Sequence, residues 1–141
     1  MKILSFLIFW LVSTNAFAHG GSESAIEVGP GKGVTEVAPD KSFKLAPEAV
    51  QRLEISFLTL GQAPYRVPKS SISQTLKDSE MYRVRAGWIK SVDFKIVSKS
   101  GPDVVVTSIE LKPGDQIVDH GVGFIRIIAL QLGKEEDHHD D

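Results

Sequence analysis

From Tyr82 to Ile96 apolar and polar side chains alternate almost one for one, a period that suits a half-buried strand and defeats a helix. Tyr82, Val84 and Ala86 alternate with Arg83 and Arg85; beyond Gly87 and Trp88, Val92, Phe94 and Ile96 alternate with Ser91, Asp93 and Lys95. Such spacing sends one set of side chains to a buried face and the other toward solvent. Ser100-Gly101-Pro102-Asp103 interrupts the run, Val104-Val105-Val106-Thr107 resumes it, and Leu111-Lys112-Pro113-Gly114-Asp115 breaks it again. Gly and Pro supply the backbone conformations that these reversals need. The stretch reads as two β-hairpins closed by short glycine turns, with no catalytic set among the strands.

The flanking segments extend the same reading. Val34 to Val37 and Phe43 to Leu45 are short strand candidates, and Pro47 suits the first turn of a helix. Glu48 lies at that helix's positive end, and Ala49, Val50 and Leu53 share a face at helical spacing. Ile55 to Leu60 reads as extended. Pro64 and Pro68 bracket an edge segment, since proline cannot donate to a central ladder. Ser70 to Glu80 is polar, with Ile72 and Leu76 as expected inward anchors, while Trp88, Phe94 and Phe124 are expected to fill the core. Phe124 to Leu132 is a continuous apolar run broken by Arg126 and Gln131, and periodicity leaves strand and helix both open. The expected fold is mainly β: a small single domain, sheet or barrel-like, with one short helix and flexible termini.

The ends and the composition narrow the function classes. Lys2, the apolar run Ile3 to Val12 and the small-x-small triplet Ala16-Phe17-Ala18 read as a signal peptide over residues 1–18, cleaved after Ala18. A spanning helix needs about 20 apolar residues, and Ser13, Thr14 and Asn15 end this run sooner, so no transmembrane anchor is expected after cleavage. Residues 19–33, rich in Gly and Ser, are expected to be mobile; residues 34–132 form the domain; residues 133–141 form an acidic, His-containing tail. Its last seven residues, Glu135 to Asp141, hold five carboxylates and no Lys or Arg, within a formal net charge of −2. The absence of cysteine excludes a lipid-modified cysteine anchor and a disulfide scaffold. No basic patch interleaved with aromatics is present, which argues against a nucleic-acid partner.

"VPKSSI", "YRVRAGWIKSVDFKIV" and "IELKPGDQIVDHGVGFIR", in that order, resemble the membrane-proximal domain of periplasmic adaptors. These adaptors, also called membrane fusion proteins, serve resistance-nodulation-division efflux pumps, and the heavy-metal branch is the most similar. "FKLAPEAVQRLEISFLTLG" resembles the segment preceding the lipoyl domain in that family, so the likeness spans Phe43 to Arg126. Where a full adaptor carries barrel, lipoyl and helical-hairpin domains, this sequence has only Gln62 to Arg66, and no long heptad pattern occurs. The resemblance implies a periplasmic, adaptor-like component of an efflux system exporting heavy-metal cations. Its partner would be an inner-membrane pump or a full-length adaptor. It does not imply a bridge between two membranes.

Candidate sites divide into three. No G-x-S-x-G elbow, H-E-x-x-H pair, P-loop or dinucleotide fingerprint occurs, so no enzyme and no required cofactor are expected. Asp115 reads as a turn residue bonding nearby amides, and Asp119 and His120 point to opposite faces of a strand. His19 would become the first residue after cleavage, where α-amine and imidazole together chelate copper, nickel or zinc; His138 and His139 offer nitrogen beside carboxylates. Ions held this way would bind weakly, which supports an alternative function as a free periplasmic metal chaperone or buffer. Lys69, Arg83, Arg85 and Lys90 form the expected partner-binding stripe on the outward face of the first hairpin.

Overall fold

The computed structural model describes residues 26–134. The expected signal peptide, His19, and the tail with His138 and His139 lie outside the described residues. The strands are β1 (Val34–Val37), β2 (Phe43–Leu45), β3 (Ser56–Thr59), β4 (Tyr65–Pro68), β5 (Ser73–Gln74), β6 (Ser79–Arg85), β7 (Trp88–Val92), β8 (Lys95–Ser100), β9 (Asp103–Thr107) and β10 (Gln116–His120). The helices are α1 (Pro47–Arg52) and α2 (Val122–Lys134), with a 3₁₀ turn at Lys69–Ser71. The chain is mainly β. Its main sheet runs β1-β2-β7-β6-β10-β3 with β5 added beside β6, and a three-stranded sheet runs β4-β9-β8.

The first hairpin forms as its alternation requires. β6 pairs β7 from Met81↔Val92 to Arg85↔Trp88, and Ala86 (φ 50°) and Gly87 (φ 81°) make the turn. Positive φ at both central residues is the geometry whose twist matches two antiparallel strands. Tyr82, Val84 and Ile89 are buried on one side with Phe43 and Val118, against Val122, Ile125 and Leu132 of α2 and half-buried Val50 and Leu53 at α1. Their sequence neighbours Met81 and Ile117 face the other way, into a second cluster with Val67, Val104 and Val106 of the small sheet. Strands β6 and β10 are therefore covered on both faces, by helices on one and by the small sheet on the other. Burial of a side chain such as Ile117 or Ile125 contributes about 1.5–3 kcal/mol, so these paired clusters hold the layers together.

Several expectations are corrected. The alternation over Val92, Phe94 and Ile96 does not continue one strand: Asp93 and Phe94 carry the chain from the main sheet into β8 of the small one. Ile96 and Val97 are consequently exposed. Leu76, expected inward, stands fully exposed in the turn between β5 and β6, whose Thr75 hydroxyl receives the Lys77 and Asp78 amides. Residues 26–33 are tied down: Ile26 packs against the helix-side cluster and the Gly29 amide donates to Val34 at 3.0 Å. The run from Phe124 is helical and continues through Gly133 and Lys134, giving the fold a second helix beyond α1 and carrying the domain past residue 132. Phe124, expected in the core, is half exposed, because the inward stripe of α2 is Val122, Ile125 and Leu132.

Among the described residues, no helix is long and apolar enough to cross a membrane. Gly121 fixes where α2 begins. It has φ 81°, and its carbonyl accepts from the Phe124 and Ile125 amides at 3.0 and 3.3 Å. A side chain there would come within 2.9 Å of Ile55 Cγ1, so the strand-to-helix step needs glycine on two counts.

Candidate functional site

Arg83 lies opposite Lys90, and Arg85 opposite Trp88, so these four side chains share one face of the first hairpin. It is the face that buries Met81 and Val92 at the far end of the same strands. Three of the four expected stripe residues are thus brought together. Lys69 stands apart in the 3₁₀ turn beyond β4, where its backbone amide donates to Pro102 at 2.9 Å.

The loop from Ser108 to Asp115 anchors this face. The Glu110 carbonyl accepts from Arg83 Nη1 at 2.9 Å and from Arg85 Nη2 at 3.4 Å. Arg85 also donates from Nε and Nη2 to the two Asp115 oxygens, at 2.8 and 2.7 Å, and the Lys112 amide donates to Asp115 Oδ2 at 2.8 Å. The Arg85 hydrogen bonds, helped by the Lys112 amide, hold the buried Asp115 carboxyl below its ordinary range against the opposing effect of desolvation. The same bonds push the Arg85 guanidinium up. Asp115 is therefore a turn carboxylate, as its sequence position implies, and also the ion-pair partner of a residue across the sheet.

The other cations of the face are tethered at its rim. Asp40 Oδ1 accepts from the Ser42 hydroxyl at 2.5 Å and the Ser42 amide at 3.1 Å, while Lys90 Nζ approaches Asp40 Oδ2 at 3.4 Å. The Ser42 hydroxyl is the main reason that the Asp40 carboxyl lies below its ordinary range. Lys44 bonds Glu36 at 3.1 Å and sits 4.6 Å from the Trp88 ring centre, a cation–π contact. Pro39, Asp40, Arg83, Arg85 and Trp88 line an open groove of about 500 Å³. Within it Arg83 makes no close ion pair among the described residues, although its charge adds to the lowering of Asp115, and its Nε is buried without an acceptor. The arrangement can hold a carboxylate or another anion beside an aromatic ring.

The remaining candidates are not assembled. Asp119 accepts from the Ser56 hydroxyl at 2.5 Å, His120 is exposed beside a separate groove near Phe124, and Asp115 is committed to Arg85. No group of three or more His, Asp or Glu side chains is placed to hold a metal among the described residues. Sequence reasoning missed Glu110, Asp40 and the Glu80 cluster. In that cluster the Tyr82 hydroxyl donates to Glu80 Oε2 at 2.8 Å and Arg126 lies 3.3 Å from the same oxygen. Desolvation, with Glu80 beside it, pushes the Tyr82 phenol well up. Glu110 and Asp40 sit in turns far in sequence from the cations they meet, and Arg126 reaches Glu80 from α2; only Glu80 and Tyr82, two positions apart in β6, lie within local reach.

Comparison with family models, with curated proteins and with solved structures finds no match to this chain.

Proposed function

We propose that this chain is a non-enzymatic, adaptor-like accessory component of a periplasmic efflux system for heavy-metal cations. It acts by docking on an inner-membrane pump or a full-length adaptor. The observation that carries this reading is the pre-positioned charged face of β6 and β7. Arg85 is locked by two hydrogen bonds to Asp115, and Arg83 beside it is held by the Glu110 carbonyl with no close ion pair of its own among the described residues. A face already ordered loses little side-chain entropy on association, and its charge steers an acidic surface into register. The likeness of "YRVRAGWIKSVDFKIV" to the adaptor domain supports the same face, since Arg83, Arg85, Trp88 and Lys90 all lie within it.

A strain lacking the gene should be sensitised to a subset of metal cations when challenged with a panel of metals and lipophilic toxicants. Re-expression of the intact chain should restore resistance. The double variant Arg83→Gln, Lys90→Glu should not, although it folds to the same thermal midpoint within a few degrees. Unchanged resistance in the deletion strain across the whole panel would refute the proposal.

A further inference from the structure

Strand β8 bonds β9 on one side only, and all six of its residues are exposed. An edge of this kind leaves a row of backbone donors and acceptors available to another extended chain. The pairing is irregular: Ile96 sits opposite Val106, Lys99 opposite Val104, and Val97 is the extra residue between Ile96 and Ser98. Val104 and Val106 are buried against the main sheet, so the bulge turns both Ile96 and Lys99 toward that side. There they meet the segment that leads from β4 to β5. Lys69, Ile72, Gln74, Ile96, Lys99 and Val104 enclose a slot of about 280 Å³.

The composition of this slot selects its occupant. Ile72, Ile96 and Val104 make it apolar within, Lys69 and Lys99 stand at its rim, and no carboxylate lines it. Neither lysine has a carboxylate partner among the described residues, in contrast to Arg85 and Lys90 on the hairpin face. We propose that β8 and this slot form a strand-addition site for an extended acidic segment of a partner protein. The segment would place an apolar residue beside Ile96 and a carboxylate, two positions away, beside Lys99 and Lys69. Period two in the added strand puts both side chains on the slot side and leaves the intervening residues in solvent. The site is separate from Arg83, Arg85 and Trp88, so it goes beyond the docking face and stands or falls independently of it.

The probe is a blocked peptide, Thr-Glu-Thr-Val-Thr-Glu-Thr, titrated into the protein while β8 amide resonances and their hydrogen exchange are followed. Saturable shifts and slowed exchange over residues 95–100 are expected, weakening as salt is raised. Lys69→Glu combined with Lys99→Glu should weaken binding at least about tenfold, and the peptide with Lys in place of Glu should not bind. Unperturbed β8 amides at millimolar peptide, or equal binding of the Lys peptide, would overturn the proposal. So would binding of phosphatidylglycerol vesicles through the same lysines with the peptide silent. Because these variants leave Arg83 and Lys90 intact, failure here with resistance still dependent on the hairpin face would remove the slot alone.

Discussion

The Arg85 guanidinium grips both carboxylate oxygens of Asp115, from Nε at 2.8 Å and from Nη2 at 2.7 Å, and so ties the turn end of the first hairpin to the loop that leads into β10. Asp115 is buried and Arg85 is partly open to solvent, so the pair lies between the weak surface case and the costly buried one. Replacing Asp115 with Asn should lower stability by about 2 kcal/mol, the range for a hydrogen bond to a charged group. Arg85→Lys should also lower stability, because an ammonium cannot make the two parallel bonds. Urea unfolding of both single variants and the double variant measures the coupling. Strict additivity would show that the pair contributes nothing.

Acid should weaken the fold in a defined window. The folded value of Asp115 lies below its ordinary one, so its stabilisation is complete above the unfolded value and is lost as pH falls through the folded value. With an unfolded carboxyl near 3.9, stability should be flat from pH 7 to about 5 and fall below about pH 4. Asp40 shifts in the same direction. The urea midpoint followed from pH 7 to 3 should fall less steeply in Asp115→Asn than in the parent chain. Parallel curves would assign the acid loss elsewhere.

Gly121→Ala should cost about 1–3 kcal/mol, from positive φ and from the 2.9 Å approach to Ile55 together. Thermal unfolding reads this directly. Gly123→Ala, in the first turn of α2 with open space around it, should be neutral or slightly stabilising. Equal effects at the two glycines would deny the close packing of Ile55 under the start of α2.

Ile125 and Ile127 differ by two positions and by everything in their surroundings. Ile125 is fully buried against the main sheet and Ile127 is exposed. Truncation of Ile125 to Ala should cost about 2–5 kcal/mol and truncation of Ile127 less than about 0.5. Denaturant midpoints for the two variants decide whether α2 is seated with this face inward.

How much was legible follows from the range of each signal. The alternation of Tyr82 and Val84 with Arg83 and Arg85 is local, and it marks β6 and β7 and the shared face of Arg83, Arg85 and Lys90, without Lys69. Gly87 and Gly101 likewise marked the two hairpin turns. Met81 and Ile117 are different. Their face is buried only because β4 and β9 return to cover it, and no window around either residue contains that information. The same long-range packing moved Ile96 out to an edge and split the run at Phe94 between two sheets. α2 stayed ambiguous because the run is apolar on both sides: Ile125 faces the core, while Phe124, Ile127 and Leu130 face out. For the candidate site, Arg83, Arg85 and Lys90 were legible as alternate residues of one hairpin. Their partners Glu110, Asp115 and Asp40 were not, since the pairing depends on how distant loops close over the sheet.

The docking face is tested most directly by a photoreactive residue placed at position 90 in β7 and, in a second strain, at position 52 in α1 on the helix-covered side. On irradiation of intact cells, position 90 should yield an adduct containing an inner-membrane pump or periplasmic adaptor subunit, and position 52 should yield none. No such adduct from position 90, or the same adduct from both positions, would contradict docking through the Arg83–Lys90 face.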